Sequence, residues 1–287
     1  MKKYVAAILC GGFCWGFMGF FVRHLMEFGI DSNEAVIVRC SIAAVCFGIL
    51  ILYTDPGQFG VRIKDIWCFF GTGILSLLFF TYCYFNAVRM LDLSVAAILL
   101  YTAPTIVMIL SVILFRENIT WVKIAAVMLA FAGCCLVSGF ATDTVLTING
   151  LLFGLGAGFG YALDTIFSRY ALQRGYRSST INFYSCLLAA VGALIIWRPH
   201  GLFRVMTVSP SAFAWCLATG VLSCFLPYML YTYSLTGLEN SRASVLASVE
   251  PVVASLIGMI AYHENLTVPA AIGILLVLSA ILLLNSS

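Results

Sequence analysis

The stretch "VLASVEPVVASLIGMIAYHEN" (residues 245–265) decides the fold, because "ILLYTAPTIVMILSVILFREN" (residues 98–118) has the same layout 147 positions earlier. In the thirty positions that begin at Leu91, this fixed offset gives nine identities. Chance similarity between apolar helices would match Leu and Ile, whereas these segments also share Pro, Glu, Asn and Thr. The chain therefore contains an internal repeat.

Composition places both copies of the repeat in a membrane. Of the 287 residues, 62% are hydrophobic and 9% are charged, and the mean hydropathy is +1.06, far above that of a water-soluble domain. A bilayer core about 30 Å thick needs roughly 20 apolar helical residues to cross it, and the apolar runs lack the alternation of barrel strands. Ten spans are predicted, at approximately 4–22, 34–53, 67–87, 94–114, 121–140, 150–170, 180–197, 211–234, 242–262 and 268–285.

The predicted fold class is all-α: an integral membrane protein with ten transmembrane helices in two five-helix repeats, residues 1–143 and 144–287. Because five is an odd number, the second repeat must enter the membrane with the opposite polarity. This gives an inverted repeat, the arrangement on which many secondary transporters are built. The connections between spans are short and leave no room for a soluble domain.

Positive charges predict the orientation of the chain. With the N-terminus inside, the cytoplasmic segments hold ten of the fifteen Lys and Arg residues and the outer segments hold five. We therefore expect a multi-pass protein of the cell inner or plasma membrane, with both termini cytoplasmic. The net charge of +3 reflects this bias and does not indicate a nucleic acid partner. The five outer residues are Arg23, Arg39, Arg89, Arg198 and Arg204.

These features together resemble a known family. Two five-helix halves, a proline in the fourth span of each, and the joints "REN.T" and "HEN.T" are similar to the drug/metabolite transporter (DMT) superfamily, specifically its EamA-type transporters with two EamA repeats. The resemblance implies transport of amino acids, other small metabolites or organic cations, commonly driven by a proton or substrate gradient. It also implies a central cavity lined by the first, third and fourth helices of each half. The usual Gly before the Glu of the joint is replaced here by Arg116 and His263.

Pro104 and Pro251 stand at equivalent positions of the repeat. Each removes a backbone donor and displaces the carbonyl four residues earlier, so the fourth and ninth spans are expected to kink near mid-membrane. Freed carbonyls in a membrane need a partner or a water-filled cavity. The kinks admit a purely structural interpretation or a gating role, and the duplication favours the second.

Glu250 and Asp164 are acidic residues embedded in predicted spans. An ionised side chain costs at least roughly 3 kcal/mol near the bilayer centre, so such residues are candidates for function. Either carboxyl could load and release a proton, which is the property that proton coupling requires. The alternative is that each stays protonated or hydrogen-bonds to a neighbouring helix.

Other polar residues near span ends are assigned to structure. Arg39, five residues into the second span, is expected to extend to the outer headgroups or to pair with Glu34; the alternative is that it binds the carboxylate of a zwitterionic substrate such as an amino acid. Glu117 and Glu264 belong to the joints before the fifth and tenth spans, where Asn and Thr are expected to cap helices. No metal site and no cofactor are expected, since all three histidines lie at span ends: His24, His200 and His263.

Aromatic residues are dense in the spans expected to line the cavity. A buried tyrosine needs a hydrogen-bond partner, so a polar cavity suits it. Aromatic faces beside one or two carboxylates suit a cationic or zwitterionic substrate, although plain helix packing is the alternative. With Glu250 and Asp164, the candidate substrate-binding residues are Trp15, Tyr82, Tyr101, Tyr161 and Tyr231.

Small residues predict close packing between helices. The stretch "GLLFGLGAGFG" (residues 150–160) fails the GxGxxG spacing of a dinucleotide loop, because Phe159 or Tyr161 occupies the last Gly position. It satisfies the GxxxG spacing of closely packed membrane helices. The eleven cysteines, an odd number without a CxxC motif, are likewise expected to serve packing. The GxxxG pairs are Gly154/Gly158, Gly156/Gly160 and Gly12/Gly16.

Secondary transport explains the repeat, the embedded carboxyls and the absence of soluble domains. An intramembrane enzyme would need a nucleophile with a base or a metal cluster, and a channel would need a ring of like groups. We therefore expect no enzyme but a secondary active transporter of an amine, an amino acid or another amine-bearing small molecule. It would work by alternating access and proton coupling, with the substrate, protons and the lipid bilayer as its partners. A multidrug or organic-cation exporter of the same fold is the alternative.

Overall fold

The structure, a computed structural model, describes residues 1–139, 146–197, 199, 209–263 and 265–286. Within these residues the chain forms ten helices that are long and apolar enough to cross a membrane. They are α1 Lys2–Glu27, α2 Ser32–Thr54, α3 Ile63–Met90, α4 Leu93–Phe115, α5 Trp121–Ser138, α6 Ile148–Gln173, α7 Ser178–Trp197, α8 Pro210–Ser234, α9 Asn240–Tyr262 and α10 Val268–Asn285.

All ten predicted spans are confirmed. The largest difference is at the end of α1, which continues to Glu27 although the apolar pattern stops at Val22. Charged and polar residues interrupt the apolar pattern, but the helix continues through them because its hydrogen bonds are formed by the backbone and do not depend on side-chain polarity. The predicted boundary between residues 143 and 144 lies outside the described residues, as do Arg198, His200, Arg204 and Glu264.

The two halves interlock, because the first helix of each half packs against helices of the other half. We call this arrangement the exchange of helices. α1 packs on α8 and α9 of the second half, and its repeat mate α6 packs on α3 and α4 of the first half. The repeat mates α2 and α7 contact each other, and so do α5 and α10. Each of these contacts between halves therefore has a counterpart under an approximate two-fold axis, as inverted repeats require.

The predicted GxxxG contacts are confirmed and carry this exchange. A Cβ atom added to Gly16 would lie 2.6 Å from the Val253 Cβ and 3.0 Å from the Glu250 carbonyl oxygen. On α6, Gly158 approaches α4 equally closely, with 2.6 Å from an added Cβ atom to the Thr102 Oγ1. Only glycine lets α1 meet α9, and α6 meet α4, at this backbone separation.

The predicted kinks of α4 and α9 are confirmed as breaks. In both helices the proline lies in the first turn of the second piece, where its missing N–H would have no intrahelical partner. The break falls at equivalent positions, around Tyr101 in α4 and at Ser248 in α9. The pieces are Leu93–Leu100 and Ala103–Phe115 in α4, and Asn240–Ala247 and Val249–Tyr262 in α9.

The third helix of each half contains a π-helical segment, which sequence reasoning did not predict. These segments are Gly71–Leu78 in α3 and Val221–Phe225 in α8. A π turn inserts a residue into the helix and rotates all later residues about the helix axis, and such turns are frequent at functional sites. Both segments precede the aromatic residues that each helix carries in its second half.

Arg116 and His263, which replace the usual Gly of the joint, adopt left-handed backbone conformations. Their φ angles are 56° and 55°, the two positive values among non-glycine residues in the described part of the chain. Each ends a helix, the position at which glycine is favoured because a Cβ atom costs roughly 1–2 kcal/mol there. Arg116 and His263 thus form a left-handed turn of the kind that glycine favours.

Candidate functional site

A small cavity lies at the centre of the molecule, between α1, α3, α6 and α8. Its volume is about 10 Å³, room for roughly one water molecule. No substrate fits in it without movement of helices, so the centre of the molecule is occluded. The lining residues are Trp15, Ser76, Leu77, Phe80, Tyr161, Asp164, Thr165, Tyr228 and Tyr231.

Four aromatic residues of this lining form what we call the aromatic cluster: Trp15, Tyr161, Tyr228 and Tyr231. The Trp15 ring lies 5.2 Å from Tyr228, 5.4 Å from Tyr231 and 6.4 Å from Tyr161, measured between centroids. Tyr228 and Tyr231 are three residues apart and so share one face of α8. Trp15 is only 6% exposed, and thus the cluster joins α1, α6 and α8 in the interior.

Asp164 and Glu250 are the two acidic residues of the central region. Asp164 lines the cavity, and Glu250 lies in the first turn of the second piece of α9. Among the residues that the structure describes, no hydrogen bond or ion pair involves either carboxyl. Glu250 is within electrostatic range of Tyr101 and Tyr161. The N-terminus of its half-helix carries partial positive charge, which stabilises an anion there.

The structure brings most of the predicted site residues together. Trp15, Tyr161, Asp164 and Tyr231 line one cavity, and Glu250 and Tyr101 stand beside it. Tyr82 is elsewhere: it is 42% exposed on the outer side of α3, where its ring lies 6.1 Å from Phe153. The prediction did not include Tyr228, Thr165, Ser76, Leu77 and Phe80 as site residues, although the three-residue spacing to Tyr231 was a signal for Tyr228.

The expectation for Arg39 was wrong. Its side chain is buried, with 3% exposure, and does not reach a membrane surface. Glu34 is engaged elsewhere, because it forms a capping box with Asp31 at the start of α2. The Arg39 guanidinium donates from Nη1 to the Met18 Sδ over 2.9 Å, while its Nε has no hydrogen-bond partner in the described chain.

Aromatic rings close the molecule on the side that we call the distal face, opposite the face that carries both chain ends. Trp215 of α8 stacks on His24 at 4.3 Å and meets Phe20 at 5.9 Å. Phe20 also lies 6.3 Å from Tyr262 of α9, and the Arg23 guanidinium covers the Tyr262 ring at 4.2 Å. These contacts join α1, α8 and α9 above the cavity.

The opposite side, which we call the terminal face, is open. A cleft of about 630 Å³ enters between α2, α6, α7 and α8 and is lined by Thr54, Gln58, Leu172 and Met229, among others. The hydroxyls of Thr165 and Tyr231, which both line the central cavity, form a hydrogen bond of 2.5 Å one helical turn away from the cleft residues Arg169 and Leu235.

Glu117 serves structure, as predicted, although at an unforeseen place. Its carboxylate accepts from the Asn240 N–H at 2.7 Å and from the Ser241 hydroxyl at 2.7 Å, capping the N-terminus of α9. Arg169 donates to the Asn240 Oδ1 at 2.6 Å and to the Leu235 carbonyl at 2.6 Å. This network fastens α4, α6 and α9 together beside the cleft.

Comparison with known proteins agrees with this architecture. The model of the EamA-like transporter family matches residues 2–139 and 148–286, once in each half. An "Uncharacterized transporter" of Archaeoglobus fulgidus is 28% identical over 287 residues, covering 99% of this chain and 96% of the relative. The "Uncharacterized inner membrane transporter YicL" of Salmonella typhimurium is 22% identical over 295 residues, covering 99% and 95%.

A solved crystal structure has the same fold, with a TM-score of 0.83 at 15% sequence identity, and covers 99% of this chain and 96% of its own. Together with the two family matches, this likeness accounts for the whole described chain. The chain therefore belongs to the EamA-like transporter family of the drug/metabolite transporter superfamily, and it is a multi-pass membrane transporter built from two five-helix repeats.

Proposed function

We propose that this transporter exchanges a small amine-bearing molecule for protons by alternating access. The pocket is bounded by Glu250, Asp164, Tyr101 and the aromatic cluster. One observation carries the proposal: two carboxyl groups lie inside membrane-spanning helices, beside four aromatic rings, without a partner among the described residues. Carboxyls in such positions are rare and mark ion and substrate pathways.

Coupling follows from the chemistry of a carboxyl in a low-dielectric site. An ionised carboxylate there is costly on its own, and either a proton or an ammonium group can neutralise it. The two cannot do so at once. A carboxyl that must release its proton to take up an amine couples the two movements.

The aromatic cluster gives the pocket its preference for cations. Ring faces attract a positive charge by roughly 0.5–2 kcal/mol, and they attract an anion hardly at all. Trp15 and Tyr161, which meet edge to face at 6.4 Å, already surround the Asp164 side of the cavity. A sugar phosphate or a dicarboxylate is therefore expected to bind poorly.

The proposed path of the substrate leads from the terminal face through the pocket to the distal face. From the terminal face a substrate reaches the Thr165–Tyr231 hydrogen bond, and breaking this bond admits it to the pocket. Release to the distal face requires α1, α8 and α9 to part at Trp215 and Tyr262. Because the halves exchange helices, rocking of one group of packed helices against the other would open the terminal face while it closes the distal face, or the reverse.

Export of larger organic cations by the same pocket is the second candidate. The aromatic cluster favours it, since quaternary ammonium groups bind well to such rings. Transport assays that compare protonated amines with quaternary ammonium compounds distinguish the two candidates. The small volume of the cavity favours the compact amines.

A thermal-stability screen of the purified protein tests the proposed function. Compact amines and amino acids are expected to raise the melting temperature, and proteoliposomes with an acidic exterior are expected to export the best of them. Dicarboxylates and sugar phosphates serve as controls and should have no effect. Tight binding of these anions, with amines ignored, would refute the pocket assignment.

We also propose that both termini lie in the cytoplasm of the cell inner or plasma membrane. The ten-to-five division of Lys and Arg supports this orientation. Reporter domains fused to either end are expected to be active only in the cytoplasm, and a cysteine placed next to Gly29, at the distal face, should react with an impermeant reagent from outside. Labelling of the two ends from opposite sides would contradict the ten-helix topology.

A further inference from the structure

Cys186 of α7 and Cys224 of α8 face each other across the interface between these two helices. Their Sγ atoms are 4.0 Å apart, and both side chains are buried, with at most 1% exposure. Both are free thiols. The sulfurs of a disulfide are about 2.05 Å apart, so these two need to approach by only about 2 Å to form one.

The pair lies beside the part of α8 that lines the pocket. Cys224 belongs to the π-helical segment Val221–Phe225, and Tyr228 of the aromatic cluster follows one turn later. One turn before Cys186, Asn182 of α7 donates from Nδ2 to the Tyr228 carbonyl at 3.0 Å. α7 therefore contacts α8 at two successive turns, once through an amide and once through a thiol.

A third thiol and a cation complete the surroundings of the pair. Cys40 of α2 is packed in the same buried cluster as Cys186 and Cys224, and the Arg39 guanidinium faces Cys40 and Cys224. A positive charge beside a thiol favours the thiolate, which is the form that reacts with oxidants. The pair thus combines a favoured thiolate with a second thiol that can resolve the first oxidation product.

We propose that Cys186 and Cys224 form a redox-modification site, at which hydrogen peroxide joins them in a disulfide that fixes α8 to α7 and holds the centre of the molecule occluded. Hydrogen peroxide is small and uncharged, as an oxidant of buried thiols must be. The site takes no part in binding the substrate. The inference therefore goes beyond the proposed function and does not depend on which molecule is transported.

The reaction removes two electrons from the pair. The thiolate of one cysteine attacks a peroxide oxygen, the O–O bond breaks, and the departing hydroxide takes up the proton that the thiol released, which leaves a sulfenic acid and water. The second thiol attacks the sulfenic sulfur, the S–O bond breaks, and the hydroxyl group leaves with the thiol proton as a second water. Two thiols and one hydrogen peroxide thus give one disulfide and two waters.

The disulfide would act on the pocket by restraining α8. α7 is itself fastened to α3, because the Ser185 hydroxyl donates to the Thr72 hydroxyl at 2.5 Å. A covalent bond from Cys186 to Cys224 would join α8 to this pair of helices. Opening of the distal face requires α8 to part from α1 at Trp215, and a cross-linked α8 cannot follow that movement.

Mass spectrometry of the full chain in proteoliposomes tests the site directly. After treatment with hydrogen peroxide at neutral pH, the wild type is expected to yield a peptide pair joined through Cys186 and Cys224, which a dithiol reductant should separate. C40A removes the third thiol and is the matched control: it should still form this disulfide, whereas C186A and C224A should not. Peroxide should also slow amide hydrogen exchange in Leu226–Ser234 about tenfold or more, in the wild type and C40A alone.

Exchange of methylamine for protons supplies a separate readout. Peroxide is expected to lower its rate about tenfold or more in the wild type and C40A, and to leave C186A and C224A unchanged. A wild type that moves no methylamine, but forms the disulfide and shows the slower hydrogen exchange, would overturn the proposed function and support this inference.

Three results would overturn the inference. The first is a peroxide-treated wild type without the disulfide, a result that needs no variant to fold. The second is a bond from Cys40 to Cys224 in its place. The third is a disulfide that leaves hydrogen exchange in α8, or the methylamine exchange of a transporting protein, unchanged.

Discussion

Glutamine in place of Glu250 is expected to abolish proton-driven exchange, lowering the uptake rate about 100-fold. The amide keeps the size of the side chain but can neither bind a proton nor form a charged contact with an ammonium group. Loss of such a charged hydrogen bond inside the helix bundle corresponds to about 3 kcal/mol. Uptake by Glu250→Gln proteoliposomes under an imposed pH gradient measures the effect.

Glu117→Gln is the matched control, because it makes the same chemical change elsewhere in the helix bundle. Glu117 caps α9 at the terminal face and does not reach the cavity. Its replacement should lower the melting temperature while transport at equal protein content continues. If the Glu250 variant transports at the normal rate and still responds to pH, the coupling role assigned to Glu250 is wrong.

Alanine in place of Gly16 is expected to destabilise the protein by about 1–3 kcal/mol and to reduce transport severely. The added methyl group would meet the Val253 Cβ at 2.6 Å and the Glu250 carbonyl oxygen at 3.0 Å. The carbonyl belongs to backbone and cannot rotate away. α1 and α9 would have to separate at the level of the pocket.

Gly19→Ala, one turn further along α1, is the control. In the described structure, no neighbouring atom lies within 4 Å of a Cβ atom added there. In a helix, alanine in place of glycine stabilises by roughly 0.5–1 kcal/mol, so this variant should melt slightly above the wild type. Melting temperatures of both variants in one detergent give the comparison. Equal melting temperatures would show that α1 and α9 do not need their close approach.

The sequence predicted spans, breaks and glycine contacts well, because these depend on hydropathy, on proline and on residue size at a fixed offset. It predicted less well which face of a helix points inward. The π-helical segment Gly71–Leu78 rotates the remainder of α3 about its axis, and Tyr82 lies on the outer side of the helix bundle. The corresponding segment Val221–Phe225 precedes Tyr228, which turns inward. No pattern of residues in a single sequence marks such a turn.

Arg39 shows the same difficulty for a charged residue. Its distance from the end of the span predicted a side chain that reaches the headgroups. α2 begins at Ser32, two residues earlier than predicted, so Arg39 lies about 10 Å from the helix start. Its direction towards α1 and α8 depends on the packing of the second half on the first. Trp15, Tyr161 and Asp164, which lie on the repeat mates α1 and α6, line the same cavity.

The exchange of helices between the halves has a consequence for synthesis of the chain. Ribosomes add about 5–20 residues per second, so the second half emerges roughly 10–30 s after the first. During that interval the face of α3 that will receive α6 and α7 has only lipid or the insertion machinery as a neighbour. The hydroxyl of Thr72 on that face later accepts from Ser185 of α7 at 2.5 Å. Until α7 has been synthesised, a nascent first half therefore lacks the partner that satisfies this hydroxyl and covers this face of α3.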